Sequence, residues 1–114
     1  MNAEDLPHDD DGEAIRRVIS HGSDLSRPMP IDFAVVVPNQ AAGQKIAAIV
    51  SDRGYTPDVY EDEKSEEWTC YCSKTMLLTH DGIAFIRREL TEISEPFESF
   101  FDGWGTFGNA EKNG

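Results

Sequence analysis

The sequence predicts an α+β domain, a ferredoxin-like βαββαβ sandwich with an extra N-terminal helix. Three observations predict it. Period-two apolar alternation marks strands at 31–37, 55–61, 68–76 and 100–107. Stripes at helical spacing mark helices at 12–21, 39–53 and 79–94. Their order is one helix, then strand, helix, strand, strand, helix, strand. Right-handed crossovers then lead to a four-stranded antiparallel sheet with two helices on one face. A chain of 114 residues, 39% hydrophobic, supports one core. Residues 12–109 read as one domain, after an acidic flexible tail over 1–11 and before a disordered tail over 110–114; the fraying is expected to begin at residue 108.

The first helix is expected to start at Gly12 with Asp11 as its cap. Ala14, Ile15, Val18 and Ile19 form its stripe, and Gly22 supplies the left-handed residue after it. The strand at 31–37 puts Ile31, Phe33, Val35 and Val37 on one face and Asp32, Ala34 and Val36 on the other. Asn39 caps the next helix, whose buried stripe is Ala42, Ile46, Ile49 and Val50; Gly54 closes it. Pro57 weakens the strand at 55–61 and places it at an edge, because proline cannot donate to a ladder on both sides. An acidic hairpin loop follows over 62–67.

The strand at 68–76 puts Trp68, Cys70, Cys72, Lys74 and Met76 on one face and Thr69, Tyr71, Ser73 and Thr75 on the other. The first set is assigned to the helix side. The polar-aromatic set then faces outward, available to a partner or to the N-terminal helix. Thr79 caps the last helix, with Ile83, Ile86, Leu90 and Ile93 on its buried side and Pro96 after its end. In the strand at 100–107, Gly103 and Gly105 signal a bulge or a close backbone approach.

Charge narrows the function. Ten Lys and Arg stand against 22 Asp and Glu, a formal net charge of −12. Residues 1–13 and 58–67 together carry eleven of those twelve negative charges. Binding nucleic acid through its phosphates needs a basic surface, so direct nucleic-acid binding is excluded. Attraction to an anionic membrane is excluded for the same reason. Residues 1–11 lack the basic-then-apolar pattern of a secretory signal, and the two cysteines read as reduced cytosolic thiols, so the expected location is cytoplasmic.

No constellation of catalytic residues emerges. Cys70 and Cys72 form a C-x-C on one strand face, without the second half of a zinc motif, and read as core thiols. His8, His21 and His80 lie in a tail, a helix end and a helix start. The acidic clusters lack the order of ligands that a calcium loop needs. No enzyme activity, metal or cofactor is expected. Trp104 reads as a core residue on a kinked terminal strand, with an interface anchor as the other reading.

Several segments carry a family resemblance. They are Gly22-Ser23-Asp24, the strand at 31–37, Arg53-Gly54-Tyr55, Thr75-Met76 and above all Phe101-Asp102-Gly103-Trp104-Gly105-Thr106-Phe107. Over about residues 12–109 the chain resembles the regulator of ribonuclease E activity B family, RraB. The resemblance implies a small acidic cytoplasmic protein without catalysis of its own. It would bind the Arg-rich, non-catalytic scaffold region of ribonuclease E and inhibit RNA cleavage. The chain departs from the best-known members in its shorter acidic N-terminal helix and in the second sheet-side loop.

The expected partner-binding residues are Asp58, Glu61, Asp62, Glu63, Glu66 and Glu67, with Tyr71 or Trp104 as the dry contact. Carboxylates steer and hold a cationic segment, and an aromatic ring seals it. The alternative is a module that dimerises through its open sheet face or senses a small molecule.

Overall fold

A nine-residue strand, β1 (Met29–Val37), forms the spine of the sheet and is buried at every second position. The computed structural model describes residues 8–109. Around β1 the chain order is α1 (Asp10–Ser20), β1, α2 (Gln40–Asp52), β2 (Thr56–Glu61), β3 (Trp68–Met76), α3 (His80–Ser94) and β4 (Phe100–Gly105), with a short 3-10 turn over Glu95–Phe97. The sheet order is β2-β3-β1-β4, and every neighbouring pair is antiparallel. The fold is therefore α+β, with β2 at an edge as Pro57 requires. None of the helices among the described residues is long and apolar enough to cross a membrane.

The core lies on the odd-numbered face of β1. Met29, Ile31, Phe33, Val35 and Val37 meet Cys70 and Cys72 of β3, Ile46 and Val50 of α2, and Ile83, Ile86, Leu90 and Ile93 of α3. All four stripe residues expected in α3 are buried. In α2, Ile46 and Val50 are buried while Ala42 and Ile49 are only partly so. Gly43 takes the innermost place instead, because a Cβ there would stand 2.9 Å from Val59 Cγ1 and 3.3 Å from Val37 Cγ2. The expected caps Asn39 and Thr79 accept from the amides of Ala42 and Gly82, each at 2.9 Å.

The start of α1 differs from expectation. Asp9, not Asp11, is the cap, accepting from the Gly12 amide at 2.8 Å. Three consecutive aspartates all suit a cap. The choice of Asp9 turns Asp11 inward, where it is 7% exposed and pairs with Arg87. Of the tail expected over 1–11, residues 1–7 lie outside the described residues, and Asp9, Asp10 and Asp11 are the cap and first turn of α1. Ile15 carries α1 into the same core as α2 and α3, so this helix packs on the helix side, and none of the described helices covers the opposite sheet face.

Two more boundaries move. β1 begins two residues before 31. Pro30 is tolerated there because its carbonyl side faces Thr106, past the end of β4, where no strand needs the missing N–H; Thr106 Oγ1 donates to that carbonyl at 2.6 Å. β4 ends at Gly105 rather than at 107. Residues 108 and 109 are not frayed. Asn109 Oδ1 accepts from the Asp24 amide at 2.8 Å, and its Nδ2 donates to the carbonyls of Asp24 and Arg27 at 2.9 and 3.1 Å. A single side chain thus ties the end of the domain to the connector between α1 and β1. Residues 110–114 lie outside the described residues.

Candidate functional site

The uncovered sheet face is built by strand register. Opposite partners share a face, so Asp32 stands beside Ser73, Ala34 beside Tyr71, and Tyr71 in turn beside Asp58 of β2. Tyr60 and Thr69 form the next pair toward the hairpin. At the other edge Val36 faces Phe100 of β4. Between Ala34 and Val35 the register shifts, and Asp102 is the extra residue on β4. Such a bulge re-aims the inserted side chain, and Asp102 borders the open face beside Ala34 and Tyr71.

Tyr71 is the hub of this face. It is 39% exposed and borders three adjoining grooves. One, of about 520 Å³, runs along β4 past Asp32, Ala34 and Asp102 to Phe107. A second, of about 320 Å³, reaches Glu61, Asp62 and Glu67 at the hairpin. The third, of about 360 Å³, lies toward Asp58 and Tyr60. Among the described residues neither Lys nor Arg lines any of the three. The rings of Tyr60 and Tyr71 meet edge to face, 5.8 Å apart. The Tyr60 hydroxyl donates to Asp58 Oδ2 at 2.6 Å, and that bond to a carboxylate raises the phenol above its ordinary value. The Ser73 hydroxyl donates to Asp32 Oδ1.

The expected binding residues are distributed as follows. Asp58 and Glu61 lie in β2, within the strand expected at 55–61. Asp62, Glu63, Glu66 and Glu67 form the exposed hairpin, held by Asp62 N donating to the Glu67 carbonyl and Glu66 N to the Asp62 carbonyl, both at 2.8 Å. Glu61, Asp62 and Glu67 line a groove with Tyr71; Glu63 and Glu66 sit outside those linings. Trp104 lines the groove along β4 together with Tyr71, but its side chain is turned to the core side. It stands opposite Phe33, packs against the core and donates its indole N–H to Asp11 Oδ1 at 3.0 Å. Asp32, Tyr60 and Asp102 join the surface without having been singled out from the sequence. Each is one polar or aromatic residue in a different strand, and pairing alone brings them together.

The residues most able to do chemistry are otherwise engaged. Cys70 and Cys72 are free, fully buried and 3.9 Å apart at sulfur. The contact with Cys70, together with burial, pushes the Cys72 thiol up. His80 Nε2 lies 2.8 Å from Asp9 Oδ2. Among the described residues no cluster of three His, Cys, Asp or Glu side chains is arranged to hold a metal ion.

The family model described as RraB, regulator of ribonuclease activity B, matches residues 8–106. No curated protein matches the chain.

Proposed function

The chain belongs to the RraB family, and from that membership we propose that it inhibits ribonuclease E-type RNA-degradation machinery by protein–protein contact, with no catalysis of its own. The contact surface is the acidic β2–β3 hairpin together with the open sheet face around Tyr71, and the segment it holds is Arg- and Lys-rich, as in the non-catalytic scaffold of ribonuclease E. The observation that carries this reading is the gathering of Asp32, Asp58, Glu61 and Asp102 around Tyr60 and Tyr71, in grooves that no cation among the described residues lines. A net charge of −12 steers a basic segment toward the domain, and the tyrosines offer the dry contact that holds it. The strand order and the two crossover helices support the ferredoxin-like description. The two free thiols suit a reducing, cytoplasmic setting.

Exposed Phe100 and Phe107 favour a second reading, in which two copies pair through this face. Such a dimer brings like carboxylates together, which opposes it. Light scattering after size exclusion separates the two readings, since a tight dimer would occupy the surface assigned to the partner.

The test is the rate of association of the full chain with the ribonuclease E scaffold. Raising the salt from low to high concentration should slow it by about tenfold or more. The pair Glu61→Lys and Glu63→Lys should slow it at low salt while leaving dissociation nearly unchanged. Added chain should slow RNA cleavage by the assembled nuclease. Binding indifferent to ionic strength, or cleavage unaffected by bound chain, would refute the reading.

A further inference from the structure

The groove along β4 has a shape of its own. Ala34 and Gly103, two small residues in register, line it between Tyr71 on one side and the β4 residues Asp102–Gly105 on the other. Two carboxylates border the groove from different strands. Asp32 is braced by the Ser73 hydroxyl, and Asp102 is turned there by the bulge. Phe107 stands at the same groove, fully exposed, next to Thr106, whose hydroxyl is bonded to Pro30.

A cation that only needs charge finds it at the acidic segment 58–67. A groove with an aromatic wall and two separated carboxylates offers more to a planar, weakly hydrated cation than to a compact, strongly hydrated one. A guanidinium stacks on an aromatic face while its N–H groups reach carboxylates in its own plane. An ammonium group has neither the plane nor the fork of donors.

We infer that this groove is an arginine-reading site, in which a guanidinium from an extended partner segment lies on Tyr71 between Asp32 and Asp102. This rests on the proposed binding of a cationic segment and adds that the segment is distinguished by its arginines, not by its charge alone. The β2–β3 hairpin supplies attraction, and the groove supplies selection.

The experiment is titration calorimetry of the full chain at low salt with a short Arg–Gly repeat peptide and its Lys-for-Arg counterpart of equal charge. The Arg peptide should bind about tenfold more tightly. Tyr71→Leu and Asp102→Asn should each remove most of that preference, and Tyr71→Phe, which keeps the ring, should retain it; circular dichroism checks that each variant is folded. Equal affinity for the two peptides overturns the arginine site and leaves the cationic-segment reading standing. A preference that survives both Tyr71→Leu and Asp102→Asn also overturns it. Failure of both peptides to bind overturns the two together.

Discussion

Asp11 and Trp104 lie 93 positions apart in the chain, and the indole N–H of Trp104 donates to Asp11 Oδ1 at 3.0 Å. Arg87 grips the same carboxylate with both terminal nitrogens, Nη2 at 2.8 Å from Oδ1. One aspartate in the first turn of α1 therefore joins α1, α3 and β4. Asp11→Ala removes the shared acceptor from two donors. It should destabilise the domain by about 2 kcal/mol, read from urea unfolding, because hydrogen bonds to a charged group are among the stronger ones.

The same carboxylate makes a pH prediction. The hydrogen bonds from Arg87, then that from Trp104, hold Asp11 below its ordinary value of 3.8. A depressed carboxylate stabilises the fold above its unfolded value and loses that contribution as the pH falls through its folded value. The stability gap between the natural chain and Asp11→Asn should thus be full at neutral pH and narrow only below about pH 4. Urea titrations at pH 7 and pH 3 check this; a gap equal at both would refute the assignment.

Gly43 tests how α2 seats on the sheet. Alanine there improves helix propensity by about 1 kcal/mol, but its Cβ would meet Val59 Cγ1 at 2.9 Å. Overpacking of this kind costs about 1–3 kcal/mol. Gly43→Ala should lower the melting temperature, and combining it with Val59→Ala should give a smaller loss than the two single losses added, because the clash is relieved.

The two thiols lie on the buried face of β3. The native protein should resist a thiol-specific colorimetric reagent, with both cysteines reacting only as the chain unfolds in denaturant. Stoichiometric labelling of the folded protein would show that β3 opens more readily than its central place in the sheet implies.

Much of the fold was legible because it rests on local pattern. Burial in β1 alternates as its apolar residues do, and the stripe Ile83, Ile86, Leu90 and Ile93 repeats at helical spacing whatever lies around it. Pro57 carries its edge position in its own ring. Asn39 and Thr79 reach amides three residues away, so their role needs nothing distant. The caps failed as a guide at Asp9–Asp11, where three equivalent residues left the start of α1 to be settled by Arg87 and Trp104.

Composition and periodicity alone specified an acidic α+β domain, the position of its core face and the outward aim of Tyr71. The surroundings of Tyr71 required the assembled sheet. Asp32, Asp58 and Asp102 are far apart in the chain, and each is an ordinary surface aspartate when read in its own segment. They share a surface because β1 pairs with both β3 and β4, and because a one-residue bulge turns Asp102. Trp104 likewise went to the helix side through the register that sets it opposite Phe33. Local periodicity says which residues alternate, whereas long-range pairing and its irregularities set which alternating positions become neighbours.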